Sequence, residues 1–64
     1  MNEELIKKIK ERGMSVKEVS DCLGINKSTL YRKIKNNYFL CGELFKIKDI
    51  LNLDYEEIKE IFIK

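Results

Sequence analysis

The sequence predicts an all-α protein with five short helices. Apolar residues recur at one-turn spacings along the 64-residue chain, proline is absent, and two of the three glycines follow such apolar stretches. Hydrophobic residues make up 44% of the chain, which is too many for a disordered protein. Because a chain of this length has room for only one small core, we expect residues 1–64 to form a single domain.

Capping residues define the first two helices. Asn2 is a good N-cap for helix 1, and Gly13 can adopt the left-handed conformation that ends it. Ser15 and Glu18 have capping-box spacing, in which the serine oxygen accepts the Glu18 backbone N–H and the Glu18 carboxylate accepts the Ser15 N–H. Helix 2 therefore begins just after Ser15, and Gly24 ends it after two turns.

Helix 3 follows helix 2 after a turn of three residues. The turn is Gly24-Ile25-Asn26, whose last residue is a good N-cap. From Lys27 to about Lys35 the pattern places Leu30 and Ile34 one turn apart on a buried face. A small core would lie beneath the turn, formed by Val19, Leu23, Ile25 and Leu30, with the small Ser20 where the helices cross. This arrangement predicts a helix-turn-helix.

Two further helices complete the chain. Helix 4 is predicted by apolar residues at helical spacing, namely Leu40, Leu44, Ile47 and Leu51. The sequence does not define its start, because neither Leu40 nor Cys41 is a good N-cap, whereas Asn52 can end it. The segment Asp54-Tyr55-Glu56-Glu57 caps helix 5, whose inward residues are Ile58, Ile61 and Phe62.

Several functional classes are excluded by composition. The chain has no histidine and only two cysteines, too few for a tetrahedral zinc site or a Cys/His pair, and no two carboxylates are placed for acid-base catalysis. We therefore expect no enzyme, metal, cofactor or small-molecule ligand, and a solvated acidic face at Glu56, Glu57 and Glu60. Cys22 and Cys41 could pair in an oxidising compartment, but we expect two reduced, partly buried thiols.

Membrane association is also not expected. No apolar run approaches the roughly 20 residues that a transmembrane helix requires. The first residues, Met1-Asn2-Glu3-Glu4, lack the basic lead and apolar core of a secretion signal. The expected location is the cytoplasm.

The formal net charge of +2 is unevenly distributed. Residues 1–38 carry nine Lys/Arg against five Asp/Glu, a charge of +4, and residues 39–64 carry four against six, a charge of −2. The segment from Asn26 to Asn37 has cations and no acid at all. These cations are Lys27, Arg32, Lys33 and Lys35. This segment is therefore the first candidate for contact with a polyanion.

Polar and cationic side chains share one face of helix 3. At about 100° per residue they lie within an arc of roughly 140°. They are Lys27, Ser28, Tyr31, Arg32 and Lys35. Such a face could be ordinary solvated surface, but next to a capped helix, a glycine turn and a small core it favours insertion into the major groove of DNA.

Residue chemistry then predicts individual DNA contacts. Arg or Lys suits guanine O6 and N7, a serine hydroxyl can bond either partner of a base pair, and a tyrosine can lie against a sugar or a thymine methyl. We expect four residues to read bases, namely Lys27, Ser28, Tyr31 and Arg32. We expect phosphate contacts at both ends of the motif, from Ser15, Lys17, Lys35, Asn36 and Asn37.

The segment from Ser15 to Ile34 resembles the helix-turn-helix of the lambda-repressor-like (Cro/repressor, XRE) family, in particular small phage and prophage regulators of Gram-positive bacteria. Five helices are typical of that family, so the resemblance covers nearly the whole chain. It implies a homodimer that binds two half-sites of a double-stranded DNA operator and represses or switches transcription. Two residues depart from the family pattern: Ser20 replaces a usual alanine, and Lys33 a usual apolar residue.

Large apolar residues near the C-terminus have two possible roles. In the family that the chain resembles, the surface near helices 4 and 5 commonly makes the dimer contact. The residues that could form it here are Phe45, Tyr55, Phe62 and Ile63, although they could also be simple core. An alternative function is a protein-interaction module, such as an antirepressor or an antitoxin-like partner, that keeps the fold without binding DNA.

Overall fold

The computed structural model describes residues 2–63, which form five α-helices, and the all-α prediction is confirmed. The helices are α1 (Glu3–Glu11), α2 (Val16–Leu23), α3 (Lys27–Asn36), α4 (Cys41–Leu51) and α5 (Tyr55–Phe62). No β-strand occurs within the described residues. The structure also defines the start of α4, at Cys41, which the sequence left open.

Side-chain caps begin three of the helices as predicted. The Asn2 side chain accepts the Leu5 N–H at 3.2 Å. Ser15 and Glu18 form both bonds of the capping box, at 3.1 and 3.0 Å. The second such box, between Asp54 and Glu57, has bonds of 2.8 and 3.1 Å. Each cap satisfies backbone donors that a helix leaves unpaired at its first turn.

The other two helices begin differently. Asn26 occupies the N-cap position of α3, but its side chain makes no capping hydrogen bond, so that part of the prediction was wrong. At α4, Leu40 has no polar side chain, and only the reverse half of a box forms: the Glu43 carboxylate accepts the Leu40 N–H at 2.9 Å.

One core receives side chains from all five helices. Its fully buried members include Leu5, Ile9, Val19, Leu30, Ile34, Ile47, Leu51 and Ile61. Ser20 is also buried, and its hydroxyl donates to the Lys17 carbonyl at 2.7 Å. Ser20 stands where the family usually has alanine. Because its hydroxyl is hydrogen-bonded within α2, burial of this polar group does not carry the penalty of an unpaired donor.

Asn2 connects three elements that are distant in sequence. It is only 7% exposed, and its side-chain nitrogen donates to the Ile61 carbonyl at 2.8 Å and to Asn37 Oδ1 at 2.9 Å. Its backbone N–H donates to the Ile34 carbonyl at 3.1 Å. The start of α1 is therefore fixed to the ends of α3 and α5.

A charged cluster fixes α1 to α5 at the opposite end of α1. Arg12 Nε donates to the Leu51 carbonyl at 2.7 Å, and Arg12 Nη2 lies 3.1 and 2.9 Å from the two Glu57 oxygens. The Lys8 ammonium is 3.1 Å from the same carboxylate. The Asp54 backbone N–H, then Arg12 and Lys8, lower the pKa of Glu57 to about 2. The prediction of a solvated acidic face is therefore wrong for Glu57, whose carboxylate is paired with Lys8 and Arg12.

Both cysteines are exposed free thiols, so the expectation of partial burial was wrong. Cys22 lies about 100° around α2 from the buried Leu23, outside the buried face, and Cys41 is the first residue of α4. Within residues 2–63 there is no group of three or more metal-ligating side chains, and no helix is long and apolar enough to cross a membrane.

Candidate nucleic-acid interface

The turn between α2 and α3 is fixed by its backbone. Gly24 has a φ of 72°, a left-handed conformation that is strained for any residue with a side chain. Its N–H donates to the Asp21 carbonyl, and the Ile25 N–H donates to the Ser20 carbonyl, each at 3.1 Å. These bonds satisfy the end of α2 and set the direction in which α3 leaves the turn.

The inner face of α3 is anchored and its outer face is free. Leu30 and Ile34 are 0% exposed, which fixes the rotation of the helix about its axis. All the predicted base-reading residues lie on the exposed side, namely Lys27, Ser28, Tyr31 and Arg32. Lys35 and Asn36 are exposed as well. The structure therefore brings the predicted residues of α3 together on one accessible surface.

Three of the four cations of α3 are free of carboxylates. Within residues 2–63, no carboxylate oxygen lies within 4.0 Å of the charged groups of Lys27, Arg32 or Lys35. The Lys27 ammonium lies 6.0 Å from the centre of the Tyr31 ring, at the limit of a cation–π contact. Lys33 differs, because its ammonium is 3.2 Å from Glu43.

The predicted phosphate-binding residues have different surroundings. The Ser15 oxygen accepts the Glu18 N–H, which leaves its hydroxyl proton free to donate. The Lys17 ammonium is 3.2 Å from Asp21, in a pair whose side chains are 69% and 65% exposed, so the interaction is weak. Asn37 ends α3 in a left-handed conformation, and its side-chain oxygen is already occupied by Asn2.

Two surface pockets place further residues beside α3. One contains Ser15 and Tyr31 together with Lys10, so the start of α2 and the exposed face of α3 meet there. The other, of about 270 Å³, is lined by Thr29, Arg32, Lys33, Asn36 and Tyr38. Sequence reasoning missed Lys10 and Tyr38, because only the packing of α1 and of the loop after α3 brings them to this surface.

Two of the four predicted dimer residues, Phe45 and Phe62, lie elsewhere, in a groove between α4 and α5, whereas Tyr55 and Ile63 do not line it. This α4–α5 groove has a volume of about 170 Å³ and is lined by Cys41, Leu44, Phe45, Lys48, Ile58 and Phe62. Phe45 is 69% exposed, and the half-buried Phe62 ring packs edge-on against Phe39 with centres 5.7 Å apart. Tyr55 and Ile63 are 68% and 63% exposed, at the two ends of α5.

Two short helices joined by a tight glycine turn, the second with a cationic exposed face, have the arrangement of a helix-turn-helix protein. Residues 4–62 match the family model of the Cro/C1-type HTH DNA-binding domain. Because the match spans nearly the whole chain, the protein belongs to this family, and the predicted family is confirmed. No curated protein and no solved structure matches the chain significantly.

Membership of the family establishes the general function. The protein is a DNA-binding regulator, and the family is generally non-enzymatic.

Proposed function

We propose that the protein is a sequence-specific transcriptional regulator of the phage or prophage repressor or Cro kind, which inserts α3 into the major groove of a double-stranded DNA operator. The observation that carries this proposal is the exposed face of α3, on which Lys27, Arg32 and Lys35 have no carboxylate partner within residues 2–63. Unpaired cations on an anchored helix can bind phosphates and base edges without first breaking an ion pair. We propose that the protein acts in the cytoplasm, where a bacterial operator lies.

Base reading is assigned to the first two turns of α3. Arg32 and Lys27 donate to guanine O6 and N7, and the Ser28 hydroxyl bonds either partner of a base pair. Tyr31 is 41% exposed, which leaves part of its ring free to lie against a sugar or a thymine methyl. Burial of Leu30 and Ile34 supports this assignment, because it keeps these four side chains on the outer face.

Phosphate contacts are assigned to the two ends of the motif. At the start of α2, the Ser15 hydroxyl and the Lys17 ammonium donate to a phosphate, beside the Glu18 carboxylate that closes the capping box. At the end of α3, Lys35 and Asn36 donate to a second phosphate. Asn37 contributes only its side-chain N–H₂, since its oxygen accepts from Asn2.

We propose that the protein binds its operator as a homodimer through the α4–α5 groove and its rim. Phe45, Tyr55 and Ile63 each leave more than 60% of their surface exposed, and Phe45 lines the apolar α4–α5 groove, which a second copy would cover. Phe62, between them, is half-buried. A two-fold dimer would read two half-sites about one helical turn apart.

Selection from a random duplex library, followed by binding measurements on the selected sequence, tests the proposal. Lys27→Ala and Arg32→Ala should each weaken binding by about 1–3 kcal/mol and relax the preference at one base pair. Lys7→Ala, which removes the same charge at an exposed position of α1, is the matched control and should have little effect. Full sequence preference in both α3 variants would overturn the assignment.

The α4–α5 groove also supports a second candidate function, a protein-interaction module that does not bind DNA. An exposed apolar groove with Phe45 on its rim is the kind of surface that a protein partner covers. A salt titration separates the two functions. Counterion release makes DNA binding weaken steeply with salt, whereas an apolar protein contact responds little.

A further inference from the structure

Lys33 is the one cation of α3 whose charge the described part of the chain neutralises. Its ammonium lies 3.2 Å from Glu43 Oε1 on α4, and the two side chains are only 20% and 18% exposed. The Lys17–Asp21 pair has a similar length, but its side chains are about two-thirds exposed. Because solvent screens a shielded pair less, the Lys33–Glu43 pair is the stronger of the two.

The stem of Lys33 nevertheless borders the proposed DNA surface. Lys33 lines the same pocket as Arg32 and Asn36, which we assign to DNA contacts, and the exposed Tyr38 lines it as well. A lysine has a flexible four-carbon stem, so its ammonium can move several ångströms while its α-carbon stays fixed. In this structure the ammonium is directed to Glu43.

Glu43 is held in place independently of Lys33. Its Oε1 atom accepts the Leu40 N–H at 2.9 Å in the first turn of α4, where the helix dipole also favours a negative charge. This hydrogen bond first, and then Lys33, lower the pKa of the carboxyl group. Glu43 is therefore a fixed anion beside a mobile cation.

We propose that Glu43 competes with DNA phosphate for Lys33 and thereby limits the affinity of the protein for DNA. This inference rests on the proposed function. While the Lys33–Glu43 pair is intact, Lys33 neutralises no phosphate. DNA binding therefore releases no counterion from the DNA in exchange for the Lys33 charge. Removal of the Glu43 charge frees the ammonium to make one additional phosphate contact per protomer.

Glu43→Gln is the informative variant, because glutamine keeps an oxygen that accepts the Leu40 N–H and loses only the charge. Glu60→Gln, which changes the net charge equally at an exposed position of α5, is the matched control. Lys33→Gln and the double variant complete a cycle. Binding of each protein to a fluorescein-labelled 30-base-pair duplex of mixed sequence is measured by anisotropy over a series of NaCl concentrations, with circular dichroism to verify folding.

The proposal predicts a change in the salt dependence itself. For Glu43→Gln, the slope of log K against log salt should be steeper than wild type by about one per protomer, with a gain of up to roughly tenfold in affinity at 0.1 M salt. Lys33→Gln should keep the wild-type slope, and the double variant should lose the gain. Glu60→Gln should shift affinity slightly without steepening the slope.

The possible failures are distinct. If wild type does not bind the duplex at low salt, the proposed function itself fails. Equal slopes for the two glutamate variants, or weaker binding by a folded Glu43→Gln, would show that the pair only positions α3 and would overturn the inference while DNA binding stands. A shallower slope for Lys33→Gln would also overturn it, because Lys33 would then already contact phosphate.

Discussion

Replacement of Asn2 by alanine should destabilise the protein far more than its position beside the N-terminus suggests. The change removes the cap on the Leu5 N–H, which costs about 1 kcal/mol. It also leaves the buried Ile61 carbonyl without its side-chain donor, at a further cost of about 1–3 kcal/mol. The Asn37 oxygen is exposed and can bond water instead. We therefore expect a loss of roughly 2–4 kcal/mol.

Urea unfolding followed by circular dichroism at 222 nm measures this loss. A folded chain of 64 residues has roughly 3–10 kcal/mol of total stability, so the midpoint of unfolding should move far enough for a clear reading. Asn26→Ala is the matched control, because Asn26 also occupies an N-cap position but makes no capping hydrogen bond. It should cost less than about 0.5 kcal/mol. Equal losses in the two variants would refute the structural role assigned to Asn2.

Two further predictions concern acid stability and self-association. The folded-state pKa of Glu57, about 2, lies below its ordinary 4.5, so the stability that the ionised carboxylate contributes is complete above pH 4.5 and is lost as pH falls towards 2. Over this range the midpoint of urea unfolding should therefore fall more for wild type than for Glu57→Gln. Parallel pH profiles for the two proteins would contradict the stabilising role of the Arg12–Lys8–Glu57 cluster. Phe45→Glu should weaken a dimer, measured by sedimentation equilibrium, roughly 30-fold or more, because it places a charge where an aromatic side chain would be buried between the two copies. Tyr38→Glu changes a similarly exposed aromatic outside the α4–α5 groove and should leave the dimer intact. Equal effects of the two variants would show that the groove is not the interface.

The helices could be predicted from sequence because their signals are local. A capping box joins residues three apart, and a terminal glycine needs only its own φ, so Ser15, Glu18 and Gly24 define α2 without knowledge of the fold. The error at Asn26 has the same origin. Its residue type fits an N-cap, but residue type alone does not determine whether the side chain makes the bond.

Contacts between distant residues were beyond sequence reasoning. Asn2 was recognised as a cap, but its bond to the Ile61 carbonyl depends on how α1 and α5 pack. Glu57 looked like one of several solvated carboxylates, although Arg12 lies 2.9 Å away across the fold. A polar side chain carries no periodic signal that identifies its partner, unlike an apolar residue on a helix face.

The candidate site likewise has features that local sequence predicts and a feature that depends on the packing of distant helices. Helical geometry predicts that Lys27, Ser28, Tyr31 and Arg32 share a face, and the burial of Leu30 determines that this face is exposed. The sequence grouped Lys33 with the other cations. Only the position of α4 shows that its charge is directed to Glu43 and not to the common face.

The central claim, that the exposed face of α3 is the DNA-binding surface, is tested most directly by nuclear magnetic resonance. Uniformly ¹⁵N-labelled protein is titrated with the duplex recovered by selection, and amide shift changes are mapped onto the helices. We predict that the largest changes lie in residues 27–37 and at the start of α2, around Ser15 and Lys17. Changes confined to the α4–α5 groove, or none at saturating DNA, would contradict the account.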